Sequence, residues 1–247
     1  MNAPYLSVVI PAYNEERRLP FSLQRIHDYL ERKAESYEVV IVDDGSTDNT
    51  VDCVRALGDS RVALVHNEAN RGKGYSVRRG MLTARGAYRL MCDADLSTPI
   101  EEAELLLAAV KAGADVAIGS RAARGARIEQ HQPWYRENVG RLFNLAVRMI
   151  AVSGISDTQC GFKLFSGRVA EEVFALSKVN GFCFDVEALF LARRRGYRIA
   201  EVPVVWRNDV ATRVTPFKGA RAFLDLLRIR VGADLGRYGA GGSRPSG

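Results

Sequence analysis

Short apolar runs along this chain alternate with longer stretches in which apolar residues recur every three or four positions. The runs Leu6–Ile10, Val39–Val42, Val62–Val65, Tyr88–Cys92 and Val116–Ile118 are rich in β-branched residues and too short for helices. They predict buried strands. Amphipathic stretches at about 15–33, 48–58, 74–85 and 100–112 predict helices between them. Such alternation predicts βαβ units, a mainly parallel sheet and an α/β fold with flanking helices. Sites in such sheets lie at the carboxyl ends of the strands.

Local signals sharpen this pattern. Ser46 or Asp48 is placed to cap the second helix after the Asp44-Gly45 turn. Pro99 suits the first turn of the helix through Glu101–Val110. After about residue 120 the rhythm changes. Ala122–Gln132 is polar and basic and reads as a mobile loop, and a helix is expected from about 136 to 153. Along it Glu137, Arg141, Asn144 and Arg148 form one polar stripe. A strand at 160–165, helices near 168–178 and 184–195, and a strand at 198–206 follow. Phe217–Val231 predicts an amphipathic surface helix, with Phe217, Ala220, Phe223, Leu224, Leu227 and Val231 in one stripe and Arg221, Arg228 and Arg230 beside it. That arrangement suits a helix lying in a membrane interface or one packed on the domain. No boundary or repeat interrupts the chain, which reads as a single domain over 1–238 with a glycine-rich, disordered tail at 239–247.

Composition narrows the partners. The 247 residues carry a formal net charge of +6, with 47% hydrophobic and 26% charged residues. This excludes a disordered or collagenous chain. The charge suits an anionic partner or a solvated basic surface. Cys53, Cys92, Cys160 and Cys183 have no zinc-finger or C-x-x-C spacing, and a reducing cytoplasm is expected. The N-terminus shows no secretory pattern, and no apolar stretch reaches the roughly 18 residues of a spanning helix.

Four segments carry candidate chemistry. Asp93-Ala94-Asp95 directly follows a strand, and residues two apart on an extended segment point the same way. Both carboxylates can face one hard cation, Mg²⁺ or Mn²⁺, or simply form a solvated loop. Asp43-Asp44-Gly45-Ser46 also follows a strand and offers carboxylates to a base or ribose. A turn and cap explain its other residues but not the acidic Asp43. Pro11-Ala12-Tyr13-Asn14-Glu15 can hold a nucleobase, or Asn14 can cap a helix. Asn70-Arg71-Gly72-Lys73-Gly74 is a basic turn before a helix, suited to phosphate. Neither a P-loop nor a G-x-G-x-x-G fingerprint is present, which argues against a dehydrogenase.

In this order the motifs resemble those of family 2 glycosyltransferases of the GT-A fold, over roughly residues 5–210. The resemblance implies a Rossmann-like sheet with a nucleotide-sugar-binding half at about 5–120 and an acceptor-binding half at about 121–238. It implies nucleoside contacts from Pro11, Tyr13, Glu15 and Asp43, with Ala12, Asp44, Lys73, Asp93 and Ala94 also binding the nucleotide. Asp95 would hold Mg²⁺ or Mn²⁺, and Arg121 would meet a phosphate. Further on, Asp157–Phe165, Phe184–Glu187 and Glu201–Trp206 resemble the dolichyl-phosphate glucosyltransferase branch. That branch implies inverting transfer of a hexose, glucose from UDP-glucose or else mannose from GDP-mannose, to a polyprenyl phosphate. Arg136, Arg141, Asn144, Arg148 and Lys163 are candidates for the acceptor site, and Asp157 is either a base or a positioning group. The enzyme is expected to be peripheral to the cytoplasmic face of a membrane and not to bind nucleic acid. The alternatives are a soluble saccharide acceptor and a nucleotide-binding protein without transfer activity.

Overall fold

The computed structural model describes residues 3–130, 144, 146–148, 150–207 and 216–238. Seven strands form the main sheet: β1 (Leu6–Ala12), β2 (Tyr37–Asp43), β3 (Val62–His66), β4 (Tyr88–Cys92), β5 (Val116–Ser120), β7 (Phe162–Ser166) and β8 (Ile199–Pro203). Their spatial order is β3-β2-β1-β4-β7-β5-β8. All neighbours are parallel except β7, which runs antiparallel to both β4 and β5. This is the mainly parallel α/β sheet that the strand–helix alternation predicts. Along the central strands nearly every residue is buried, as a sheet covered on both faces requires.

One face carries α1 (Leu19–Leu30) and α4 (Ala103–Lys111), the latter entered through a 3₁₀ turn at Ile100–Glu102. Their apolar sides meet Leu6, Val8 and Ile10 of β1 and Phe162 and Leu164 of β7. The opposite face carries α3 (Lys73–Thr83), α5 (Gly167–Leu176), α6 (Phe184–Arg194) and α7 (Pro216–Asp234). The short α2 (Thr50–Arg55) joins β2 to β3. Thus β1 sends Val8 and Ile10 to one core and Val9 to the other, the period-two alternation of a strand.

Several local expectations are corrected. The segment at 122–132 contains a strand, β6 (Arg127–Gln130), which pairs in parallel with β9 (Val205–Arg207). The expected strand at 198–206 is divided between β8 and β9, which belong to different sheets. Ser46 does not cap α2, because its hydroxyl accepts the Asn14 N–H. Asp48 accepts the Thr50 N–H at 3.0 Å and so supports the helix start. Asn14 adopts a left-handed φ of 54° and accepts the Thr47 N–H instead of capping α1. Of the helix expected at 136–153, residues 144, 146–148 and 150 are described and helical. The tail at 239–247 lies outside the described residues.

Candidate active site

The antiparallel strand decides what meets at the carboxyl edge. There β1, β2, β4 and β5 end in Ala12, Asp43, Cys92 and Ser120. Because β7 runs the opposite way, its start lies at the same edge, and Phe162 pairs with Cys92. The segment 157–161, about 65 residues beyond the acidic pair, is thereby brought beside it. Asp93 N–H donates to Gly161 O at 3.1 Å.

Asp93 fills a space that only glycine leaves open. A Cβ on Gly161 would stand 2.0 Å from Asp93 Oδ2. On its other side, Asp93 Oδ1 lies 2.6 Å from Lys73 Nζ. Lys73 begins α3. The turn before it is shaped by Gly72 at φ 99°, where a Cβ would stand 2.4 Å from Asn180 O. Burial is the largest influence on the Lys73 ammonium and pushes its pKa down, but Asp93, Asp185 and Asp95 outweigh it and hold the pKa above the usual lysine value. Asp95 is half-buried and accepts the Ser97 N–H at 3.0 Å. Burial, and then the Asp93 charge, push its carboxyl above the ordinary aspartate range. The intervening Ala94 is buried, and its carbonyl accepts the Ser22 hydroxyl, which ties this loop to α1.

Arg121 and Asp157 form the second constellation. Arg121 Nε and Nη2 donate to Asp157 Oδ2 and Oδ1 at 2.6 and 2.8 Å, and the Arg121 N–H adds a third bond at 3.0 Å. Such a bidentate pair is geometrically specific. Asp157 is only 2% exposed. Burial acts to raise its pKa, but Arg121 more than compensates and holds the carboxyl below its ordinary range. The guanidinium also lies over the Trp206 ring, 5.3 Å from its centroid. Glu201 anchors the loop from behind, accepting the Ser156 and Asp157 N–H groups and the Ser120 hydroxyl. Glu201 and Trp206 stand inside a recognisable motif, yet no local pattern reveals that they support Asp157 and Arg121.

On the other side of the sheet, Asp43 and Asp44 separate in role. Asp43 is fully buried. Its Oδ2 accepts the Gly45 and Ser46 N–H groups and lies 2.8 Å from His66 Nδ1, while Oδ1 has no protein partner. A buried acceptor without a partner costs about 1–3 kcal/mol, so this oxygen favours a donor brought from outside. Asp44 uses both oxygens within the protein, accepting Asn67 Nδ2 and the Arg71 and Gly72 N–H groups. These bonds shape the loop leading to Lys73. Nearby, Pro11 is partly buried, Ala12 is buried and Tyr13 is exposed, while the Glu15 carboxylate is paired with Arg18 at 2.6 Å.

Lys163 is 1% exposed, and its ammonium donates to Cys160 O at 2.5 Å and to Asp185 Oδ1 at 2.6 Å. It is a buried structural cation, contrary to the expected acceptor contact. Asn144 is half-buried with Oδ1 3.5 Å from the Thr158 hydroxyl, and Arg148 is exposed. Arg136 and Arg141 lie outside the described residues. Glu187, in the Phe184–Glu187 motif, is fully buried and accepts the Lys178 and Val179 N–H groups and the Tyr238 hydroxyl. Among the described residues no group of three or more His, Cys, Asp or Glu is arranged to hold a metal.

An acidic pair, a lysine at a helix start and an oriented arginine, all at one sheet edge, suit the handling of a diphosphate. The pattern described as Glycosyl transferase family 2 matches residues 7–174, and the chain belongs to this family of glycosyltransferases. Its curated relatives are more particular. The dolichyl-phosphate beta-glucosyltransferase of Drosophila melanogaster is 38% identical over 248 residues, 92% of this chain and 76% of the relative. The Dictyostelium discoideum enzyme of the same name is 36% identical over 94% of this chain and 76% of its own length. The human one is 36% identical, covering 92% and 75%. Among solved structures, glucosyl-3-phosphoglycerate synthase of Mycobacterium tuberculosis in complex with UDP superposes with a TM-score of 0.69 at 21% identity, covering 92% of this chain and 80% of that one. The same protein has been solved with Mn²⁺, UDP-glucose and phosphoglyceric acid, with a TM-score of 0.68. These structures share the fold.

Proposed function

We propose that this glycosyltransferase moves glucose from UDP-glucose to a dolichyl or other polyprenyl phosphate, with inversion at the anomeric carbon, at the cytoplasmic face of a membrane. The observation that carries the reading is the meeting of Asp93, Asp95 and Lys73 with the Arg121–Asp157 pair at one edge. The branch assignment rests on relatives 36–38% identical over 92–94% of the chain.

The reaction is one in-line displacement. An acceptor phosphate oxygen attacks the anomeric carbon, the bond from that carbon to the diphosphate oxygen breaks, and the nucleoside diphosphate leaves with the electron pair. A phosphate monoester is ionised near pH 7, so the step requires no proton acceptor. Asp157 suits this chemistry as a permanent anion that orients Arg121. Its lowered pKa and bidentate pairing make it a poor base. Arg121 presents a planar cation, the geometry that matches phosphate. Lys73 sits among Asp93, Asp95 and Asp185, where it meets the charge of an incoming diphosphate and releases Asp93.

The residues also fit a divalent ion. Burial first, and then the neighbouring Asp93 carboxylate, raise the Asp95 pKa, and the Lys73 ammonium already occupies a cation position against Asp93. Asp95, helped by Asp93, would hold Mg²⁺ or Mn²⁺, whose remaining ligands come from diphosphate. Bound there, the ion supplies charge neutralisation of the leaving group. Asp43, with its unpaired Oδ1, is the nucleoside contact this reading favours.

The test is label transfer from UDP-glucose or GDP-mannose to a polyprenyl phosphate extracted into organic solvent. EDTA-sensitive label from UDP-glucose is expected. Slow release of nucleoside diphosphate without extractable label would move the acceptor to soluble saccharides, and label from GDP-mannose alone would overturn the donor.

A further inference from the structure

We infer that α7 docks this protein on an anionic lipid bilayer through the ridge Leu224, Leu227, Val231 and Leu235. The inference deepens the proposed function by giving the membrane-surface reaction a docking face. The helix has two unlike sides. Leu226, Ile229 and Ala233 are buried against the core beneath α6. Opposite them, Leu224 is 56% exposed, Leu227 52%, Val231 53% and Leu235 70%. Their spacing of three, four and four residues sets Leu224, Leu227 and Val231 in one row along the helix, continued by Leu235 in the turn just past its end, about 16 Å in all at 1.5 Å per residue. A soluble surface scatters its exposed leucines, whereas a continuous row marks a surface that something covers.

The charge on this segment selects the occupant. Residues 216–238 contain five basic and two acidic side chains. Arg228 lies on one flank of the ridge and Arg230 on the other, both with more than half of their side chains exposed. Each has an aspartate neighbour, Asp225 at 3.0 Å and Asp234 at 3.6 Å, so the arginines stay beside the ridge. An apolar row with cations on both flanks matches acyl chains below anionic headgroups. It matches a second copy of itself poorly, since the flanking arginines would face one another. No described helix is long and apolar enough to cross a membrane, so the contact is interfacial. The far end of the helix is pinned: Tyr238 donates to buried Glu187 at 2.7 Å, so the docked helix carries the whole domain with it.

The experiment is co-sedimentation of the full chain with vesicles of phosphatidylcholine containing about 30% phosphatidylserine, without acceptor lipid. Wild type is expected to sediment, less so in high salt or with phosphatidylcholine alone. The Leu224→Glu/Leu227→Glu double variant should lose at least about tenfold in vesicle affinity. Its thermal midpoint should stay unchanged, because both side chains already face solvent. With a short water-soluble prenyl phosphate its transfer rate should match wild type, and with vesicle-embedded acceptor it should fall. Vesicle binding that the double variant retains would overturn the proposal. So would a wild type that ignores vesicles, including one forming a dimer that the variant disrupts. If vesicles bind but neither acceptor is glycosylated, the docking face stands and the proposed reaction falls.

Discussion

Replacing Asp157 by asparagine separates a positioning role from a catalytic one. The carboxylate accepts three hydrogen bonds from Arg121 and lies in a nearly closed environment. Asparagine keeps one acceptor oxygen but turns an NH₂ group toward a guanidinium that can only donate. Breaking a buried ion pair costs about 3–5 kcal/mol. The Arg121 side chain is 26% exposed and regains some hydration, which favours the lower end. About 3 kcal/mol corresponds to a drop of roughly 6–12 °C in the thermal midpoint for a chain of this size. Transfer should fall by at least about a hundredfold, near 2.7 kcal/mol of barrier. Binding of UDP, measured by calorimetry, should weaken as well, because Arg121 loses the pairing that orients it toward phosphate. The pH dependence supplies a second check. Asp157 has a depressed folded pKa, so its contribution is complete above the unfolded value of about 3.9 and disappears as pH falls through the lower folded value. The stability gap between wild type and variant should therefore stay constant from pH 5 to 8 and close only below about pH 4. A variant as stable as wild type but inactive, with a gap in activity that titrates between pH 5 and 7, would refute the argument and make Asp157 a base.

Other outcomes follow from the same geometry. Gly161→Ala should reduce transfer at least about tenfold while the circular dichroism spectrum stays native, because the new methyl group displaces Asp93; unchanged kinetics would mean that Asp93 has no fixed role. Asp95→Asn should lose metal-stimulated turnover, and retention of more than about a tenth of wild-type activity, roughly 1.4 kcal/mol of barrier, would count against it as the metal ligand. Lys163→Met should destabilise the fold by about 3–5 kcal/mol in urea titrations, because it strands buried Asp185. A selective rise in acceptor KM with unchanged stability would instead restore Lys163 to the acceptor site.

Much of the fold is written in local patterns. The β-branched runs and their amphipathic partners, read at periods of two and 3.6, place the strands of a mainly parallel sheet and the helices between them. The acidic pairs at 43–44 and 93–95 are legible for the same reason: an abrupt charge after an apolar strand can only sit at the strand's carboxyl end. Resemblance extends this to a family and a branch. What these patterns lack is the partner of each polar group. Asp43 and Asp44 are chemically identical neighbours, yet one keeps an unpaired oxygen and the other is consumed by the loop at 67–72, because consecutive residues leave a strand in opposite directions. Lys163 looks like any cation in sequence, and only its place on the central strand β7 buries it against Asp185. The pairing of Arg121 with Asp157, and the space at Gly161 that admits Asp93, both depend on β7 entering the sheet antiparallel. The order and direction of strands are long-range properties that no local period encodes, so the sequence by itself determined the elements and their chemistry, and the tertiary structure decided which charges meet.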